Sequence, residues 1–126
     1  MSNNKTLLID AVMHADTARV RAILDASLGE ALEETFHGST ALIFAAFYGQ
    51  LDIVELLLKH GANKEARDPI GCTALIRAAM NGYTEVVKVL LEAGAHVDAL
   101  DNRGATALMA AAAWGHPGTV TILLES

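Results

Sequence analysis

The chain has 126 residues, of which 52% are hydrophobic, and this is enough for one domain with a substantial buried core. Its formal net charge of -6 argues against a nucleic-acid partner, because phosphates attract a basic surface. No apolar run approaches the roughly 18 residues of a membrane-spanning helix, so no membrane partner is expected. The single cysteine, Cys72, excludes an internal disulfide and is typical of a reducing compartment, which predicts a cytoplasmic protein.

The N-terminal unit, residues 1–34, predicts a helix pair over residues 6–26. Its apolar residues fall in two stripes, one around Leu8 and one around Leu24. The charged residues between them are typical of a capping unit with one face in water, and they would also interrupt the apolar core of a signal peptide. The link over residues 27–34 does not match the later loops.

From this link onward, one period of 33 residues organises the chain. Glycine, threonine, leucine and valine all recur at that spacing. The recurring sets are Gly38, Gly71 and Gly104; Thr40, Thr73 and Thr106; Leu42, Leu75 and Leu108; Gly49, Gly82 and Gly115; and Val54, Val87 and Val120. So many independent positions agreeing on one period indicate a repeat protein, in which each unit buries its apolar face against its neighbours.

Residues 35–67 and 68–100 form two complete units, and each is predicted to hold two helices. Thr40 and Thr73 are the expected N-caps of the first helices, since a threonine hydroxyl accepts a hydrogen bond from the first helical turn. Leu75, together with Leu90 of the second helix, is expected to be fully buried. Each first helix is followed by a glycine that lets the chain reverse, and these glycines are Gly49 and Gly82.

The second helices of these two units are predicted over residues 51–60 and 84–93. Each is followed by a Gly-Ala pair, at Gly61 and Gly94, where the chain should leave through a left-handed turn. The chain should then extend into a short hairpin whose tip is rich in turn-forming residues. These tips are expected at residues 68–71 and 101–104.

The last unit, residues 101–126, is predicted to be incomplete because no Gly-Ala pair follows its second helix. Pro117 is compatible with the start of that helix, since the first-turn amides lack intrahelical partners. Met109, Ala111 and Leu124 are expected to lack the cover that a following unit would give. This end is therefore predicted to be open, either as part of a longer array or as a natural end.

The repeated segments resemble the ankyrin repeat, whose core is Thr-Pro-Leu-His-x-Ala. The corresponding segments here are Thr40-Ala41-Leu42-Ile43-Phe44-Ala45, Thr73-Ala74-Leu75-Ile76-Arg77-Ala78 and Thr106-Ala107-Leu108-Met109-Ala110-Ala111. Alanine replaces the proline and an apolar residue replaces the histidine, so apolar packing is expected in place of that histidine's polar links. The resemblance implies an all-α solenoid of about four stacked helix-turn-helix units with short β-hairpin loops. It implies a module that binds proteins or peptides and leaves the partner open.

The sequence lacks the residue patterns of an active site. Its five histidines are scattered, with no i, i+4 pair and no cysteine at the spacing of zinc ligands. Cys72 follows the tip residue Gly71, and no neighbouring base is specified that would activate its thiol. The glycines are accounted for by the repeat geometry rather than by a phosphate-binding loop. We therefore expect no enzyme activity, no metal and no cofactor.

Aromatic residues concentrate where the ankyrin resemblance places the partner-binding groove, at the loop tips and the exposed ends of the first helices. We define the first-helix row as the residues that follow each Ala-Ala pair: Phe47, Tyr48, Met80, Asn81, Ala113 and Trp114. Phe36 and Ile70 add apolar side chains at the tips. Exposed aromatic clusters usually mark interfaces, so the row predicts partner binding. The alternative is that Phe47 or Trp114 folds onto a neighbouring unit as additional core.

Three arginines fall on the same side of the predicted solenoid. Arg67 and Arg103 lie in the loops, and Arg77 lies on a first helix, at the position that Phe44 and Ala110 hold in the neighbouring units. We expect them to pair with carboxylates of a partner whose other contacts are apolar. Most glutamates are expected on the opposite, second-helix side.

Three classes of function remain in view. A binding module that acts as an adaptor or inhibitor is favoured, because the frame is regular and the variable positions are aromatic. The alternative is a structural fragment or cap of a longer ankyrin array with no independent partner. An enzyme is the third class, and bound metal or nucleotide in the purified chain would indicate it. A monomer is expected, with self-association through the open C-terminal end as the other outcome.

Overall fold

A computed structural model describes residues 7–26 and 29–126. The expected helix start at residue 6 and part of the expected link, residues 27–28, lie outside the described residues. The helices within them are α1 (Leu7–Met13), α2 (Thr17–Ala26), α3 (Glu30–Glu33), α4 (Ala41–Phe47), α5 (Leu51–Lys59), α6 (Ala74–Met80), α7 (Thr84–Glu92), α8 (Ala107–Ala113) and α9 (Pro117–Leu124). In this part of the chain, no helix is both long and apolar enough to cross a membrane.

The helices form two layers. The first helices α1, α4, α6 and α8 pack side by side in chain order, and the second helices α2, α5, α7 and α9 pack in the same order behind them. Each first helix also packs on the second helix of its own pair. The expected solenoid of four helix pairs is therefore confirmed. The short helix α3 was not predicted, and it lies in the link that does not follow the repeat.

Threonine hydroxyls start the first helices. The Oγ1 of Thr40 accepts a hydrogen bond from the Ile43 amide at 3.3 Å, and Thr73 Oγ1 accepts one from Ile76 at the same distance. Thr106 caps α8 in the same way. The two predicted N-caps are confirmed. The second helices end one residue earlier than predicted, because His60 and Ala93 are C-cap residues rather than helical ones.

The loops between the units do not all form strands. The first loop is a hairpin, in which β1 (Thr35–Phe36) pairs antiparallel with β2 (Ser39–Thr40). Its two turn residues, His37 and Gly38, both have positive φ, as a two-residue turn matched to strand twist requires.

The two predicted tips at residues 68–71 and 101–104 are turns without flanking strands, so strands were wrongly expected there. The reason lies in the residue that starts each loop: where the first loop has Thr35, the later ones have Asp68 and Asp101. A carboxylate oxygen of each aspartate accepts hydrogen bonds from two amides of its own turn. These bonds replace the strand ladder with a side-chain turn.

Side chains from the following unit fill the space above the turn glycines. A Cβ on Gly49 would lie 2.6 Å from the ring of Tyr83, and a Cβ on Gly82 would collide with the ring of His116. Both glycines also have positive φ, at 70° and 74°, which L side chains rarely adopt. Glycine therefore recurs at these positions for two reasons: the chain reverses there, and a side chain of the next unit packs against the glycine.

The core runs the length of the stack and opens at its C-terminal end. Leu75 and Leu90 are buried, as predicted. At equivalent positions Ile76 is 0% exposed and Met109 is 54% exposed, since α8 covers Ile76 and none of the described residues covers Met109 in the same way. Leu124 is also exposed, which confirms the prediction for both residues. The prediction for Ala111 is wrong, because this residue is fully buried.

We expect Leu75→Ala to lower the free energy of unfolding by about 2–5 kcal/mol, since it leaves a cavity between packed first helices. Chemical denaturation followed by circular dichroism would measure the change. Leu100→Ala is the matched control, because this leucine is exposed in a loop and its truncation should change stability by less than about 0.5 kcal/mol. An unchanged denaturation midpoint for Leu75→Ala would contradict the assigned packing.

Lysine substitutions at two equivalent positions test the open end. Met109→Lys should change the free energy of unfolding by no more than about 0.5 kcal/mol, because the side chain already faces solvent. Ile76→Lys buries an unpaired charge, so it should cost more than about 3 kcal/mol or prevent folding. Thermal unfolding of both variants gives the comparison. Equal losses would show that Met109 is covered in solution.

Candidate protein-binding surface

The first-helix row lies at the ends of α4, α6 and α8. Phe47, Met80 and Ala113 are the last helical residues, and each is followed by a C-cap residue of the row. These helices pack side by side, so the six residues form one continuous strip. Asn81 donates a side-chain hydrogen bond to the Phe47 carbonyl at 2.9 Å, which fixes the first two units of the strip to each other.

The large side chains of the row are exposed. Phe47 and Tyr48 are exposed, and Trp114 is 66% exposed, so none of the three serves as additional core. Met80 and Asn81 are half-buried. At the tips, Ile70 is exposed, whereas Phe36 is half-buried against the core. The structure brings the row together, and it places Phe36 partly in the core.

A chain of aromatic rings runs from the first loop to the row. Phe36 lies 6.4 Å from Phe44, and Phe44 stacks on Tyr48 at the same centroid distance. Phe47 meets Tyr48 edge to face at 5.3 Å. Phe44 is absent from the predicted site, although its i, i+4 spacing to Tyr48 is a sequence signal that could have identified it. The rings hold one another in place and present a preformed apolar wall.

Arg77 forms an ion pair within the chain through two of its three guanidinium nitrogens. Its Nε and Nη2 donate to Asp68 Oδ2, at 2.8 Å and 2.6 Å. The Asp68 side chain is 1% exposed and that of Arg77 is 21% exposed, so the pair is largely buried. The guanidinium also lies 5.7 Å from the centre of the Phe47 ring. Asp68 thus supplies the carboxylate that was expected from a partner, and Arg77 as a partner contact stays a prediction.

The other two arginines differ from each other. Arg67 joins two loops, since it donates to the carbonyls of Gly71 at 3.0 Å and Leu100 at 2.7 Å. It is thus engaged internally as well. Arg103 is the exposed cation of the three, and its Nη2 lies 3.6 Å from Asp101 Oδ2. Of the three expected contacts to a partner's carboxylates, Arg103 is the one that the structure leaves open.

Hydrogen bonds lower the pKa of Asp101, the second of the two loop aspartates. The backbone N–H of Ala105 is the main cause that holds the pKa of Asp101 below its ordinary value. The backbone N–H and the charge of Arg103 act in the same direction, and burial opposes them. The carboxylate therefore stays ionised and continues to organise its turn under ordinary conditions.

A pocket of about 210 Å³ opens between α4 and α6, next to the row. Its lining includes both members of the buried ion pair and three rings of the aromatic wall. Its lining residues are Ser39, Ile43, Phe44, Phe47, Tyr48, Asp68 and Arg77. We call it the aromatic pocket.

Cys72 and the histidines form no reactive cluster in the described part of the chain. Cys72 is buried, and this burial raises the pKa of its thiol more than the nearby Arg77 lowers it. The thiol is therefore protonated and inaccessible, which makes it a structural residue of the loop. Among residues 7–26 and 29–126, no three His, Cys, Asp or Glu side chains lie close enough together to hold a metal ion.

A family model described as ankyrin repeats (3 copies) matches residues 1–68 and again residues 65–126. Together the two matches span the chain. The chain belongs to the ankyrin-repeat family. Ankyrin repeats are generally protein–protein interaction modules and are typically non-catalytic. The resemblance drawn from the repeated threonine, leucine and glycine positions is thereby confirmed, and so is the general class of function.

The buried ion pair beneath this ankyrin surface gives a stability prediction. We expect Arg77→Met to lower the free energy of unfolding by about 3–5 kcal/mol, because it leaves the Asp68 carboxylate buried without its cation. The double variant Asp68→Asn/Arg77→Met should lose less than Arg77→Met alone, since no unpaired charge remains. Urea denaturation of the variants measures both changes. The single variant Asp68→Asn completes the comparison. A double variant whose loss equals the sum of the losses of Asp68→Asn and Arg77→Met would rule out this coupling.

Proposed function

We propose that this ankyrin chain binds a protein or peptide through the first-helix row and the loop tips, as an adaptor or inhibitor and without chemistry. The exposure of Phe47, Tyr48 and Trp114 along one strip carries the proposal. Monomeric proteins rarely leave several large rings exposed together unless these serve an interface. The single cysteine adds the expectation that this binding takes place in a reducing compartment, the cytoplasm.

The size of the strip supports a specific complex. Neighbouring first helices pack at roughly 8–10 Å, so the row and the tips extend over three units. Such a strip supplies roughly 800 Å² to an interface, which is the usual contribution of one partner in a stable complex. Tyr and Trp are the side chains most often found as hot spots, so Tyr48 and Trp114 are the proposed anchors.

Internal hydrogen bonds support a preformed surface. Asn81 ties the row together, and Arg67 ties the loops of two units together. A partner therefore loses little affinity to the ordering of this side of the interface. Arg103 remains at the rim as the exposed charge that guides association.

The open C-terminal end favours a second candidate function. Met109 and Leu124 are exposed at positions whose equivalents in earlier units are covered by the next helix pair. In this alternative, the chain is a fragment or cap of a longer ankyrin array, and its last helix pair docks against further repeats. Sedimentation of residues 1–126 discriminates the two: a monomer at all concentrations favours the binding module.

We expect Tyr48→Ala and Trp114→Ala each to weaken binding by about 2 kcal/mol or more. Partners captured on the immobilised wild-type chain supply the ligand, and calorimetry with the purified partner measures the change. Glu55→Ala, on the exposed face of α5, is the control and should bind as the wild type does. Arg103→Glu should mainly slow association and change its salt dependence.

Stability measurements must accompany these binding measurements. Neither ring substitution should shift the unfolding midpoint greatly, because both side chains are exposed. A partner that protects the second-helix glutamates and leaves Tyr48 and Trp114 untouched would refute the proposal.

A further inference from the structure

The aromatic pocket is sized for one side chain. Its volume of about 210 Å³ is below the roughly 300–1,000 Å³ typical of sites for small molecules and cofactors. It opens directly beside Phe47 and Tyr48, so a chain lying along the first-helix row passes over it. These two facts point to the anchor residue of a peptide as the occupant.

The charges in the pocket are already compensated. Asp68 Oδ1 accepts from the amides of Ile70 and Cys72, and Oδ2 accepts twice from Arg77. A cationic side chain would find both carboxylate oxygens occupied, and Arg77 already lies near the Phe47 ring. An anionic side chain would meet a guanidinium whose charge is already balanced by Asp68, and that carboxylate would repel it. An uncharged occupant meets neither obstacle.

The walls of the pocket favour a large apolar occupant. Phe44 and Tyr48 are nearly parallel, with an interplanar angle of 18°, and Phe47 stands at 73° to Tyr48. The three rings that line this corner thus differ in orientation, and aromatic pairs accept both offset-stacked and edge-to-face contacts. The pocket therefore suits a phenylalanine-like ring best among uncharged side chains.

One hydrogen-bond donor remains at the pocket wall. Within the described residues, the hydrogen-bond acceptor of Arg77 Nη1 is the Met80 sulfur, at 3.9 Å, and sulfur is a weak acceptor. A main-chain carbonyl is a neutral acceptor that this N–H can take without disturbing the bonds to Asp68. Arg77 would then fix the direction of a bound peptide.

We propose that the aromatic pocket takes one uncharged aromatic side chain of the partner, whose main-chain carbonyl accepts from Arg77 Nη1. This inference deepens the proposed function and rests on it. The equivalents of Phe44, Phe47 and Tyr48 in the next two units are different residues, so the sequence builds this corner once and the partner has one register. Those equivalents are Arg77, Met80 and Asn81, and Ala110, Ala113 and Trp114.

Single-residue probes test this choice of anchor. We would titrate the isotope-labelled full chain with the amides of N-acetyl-phenylalanine, N-acetyl-aspartate and N-acetyl-lysine, and follow chemical shifts by NMR. The phenylalanine probe should shift the signals of Phe44, Tyr48 and Arg77 and bind at least about tenfold more tightly than either charged probe. Shifts located elsewhere, no shifts at all, or equal affinity for a charged probe would overturn the proposal.

Variants separate the pocket from the remainder of the surface. Tyr48→Ala should lower the affinity for the phenylalanine probe by about fivefold or more. Tyr48→Phe should keep this affinity, because the ring remains. Leu100→Ala, which lies outside the pocket, should leave the affinity unchanged. Indifference of the probe to Tyr48→Ala would also overturn the inference. If the probes fail while a captured protein still depends on Tyr48 and Trp114, the proposed function stands and this inference alone falls. If the probes bind as expected and no protein partner depends on those rings, the proposed function falls instead.

Discussion

The structure depends on direct contact between the alanine-rich faces of neighbouring first helices. These helices are seven residues long in each unit, and isolated helices shorter than about 12–15 residues are marginal in water. Ala45, Ala46, Ala78 and Ala79 are all fully buried, which lets the helices pack without large side chains between them. Ala112, the equivalent of Ala79 in the last unit, is exposed because no helix among residues 7–26 and 29–126 packs on that face of α8. No unit is therefore stable by virtue of its own sequence alone.

This dependence explains why the fold could be predicted from the sequence. Each buried position must recur at every junction, so a single period of 33 appears in glycine, threonine, leucine and alanine at once. The loop tips follow the prediction, but the strands expected beside the second and third tips do not form, because local hydrogen bonds rather than packing shape these loops. The exchange of Thr35 for Asp68 and Asp101 was visible, but its effect depends on which amides each carboxylate reaches. Helix α3 lies where the period is interrupted, so no repeat argument applied to it.

The candidate surface was predictable in its outline and not in its chemistry. The 33-residue spacing together with the ankyrin resemblance predicts Phe47, Tyr48 and Trp114 on one strip, because first helices repeat their orientation along the stack. Spacing did not reveal that Arg77 reaches back nine residues to a buried carboxylate, since that contact depends on how the loop folds. The pairing changes the electrostatics of the groove. Positive charge was expected at its centre, but the Asp68–Arg77 ion pair there has no net charge, and the exposed positive charge of Arg103 lies at the rim.

The contacts between neighbouring units at the turns between their helices bear on how such an array evolves. At three successive junctions the residue after the turn is Gln50, Tyr83 or His116, and each contacts the preceding unit; Tyr83 and His116 cover a glycine, whereas the unit before Gln50 has Ala15 at that position. The Gln50 amide donates to the Val12 carbonyl at 2.8 Å, and His116 Nε2 donates to the Met80 carbonyl at 2.9 Å, whereas Tyr83 covers Gly49 with its ring. Units that share a backbone thus differ in the chemistry of their joints. Recombination that exchanged two units would keep the helices in register. It would mismatch the contacts that Gln50, Tyr83 and His116 make with the preceding unit, so these three side chains favour one order of the units.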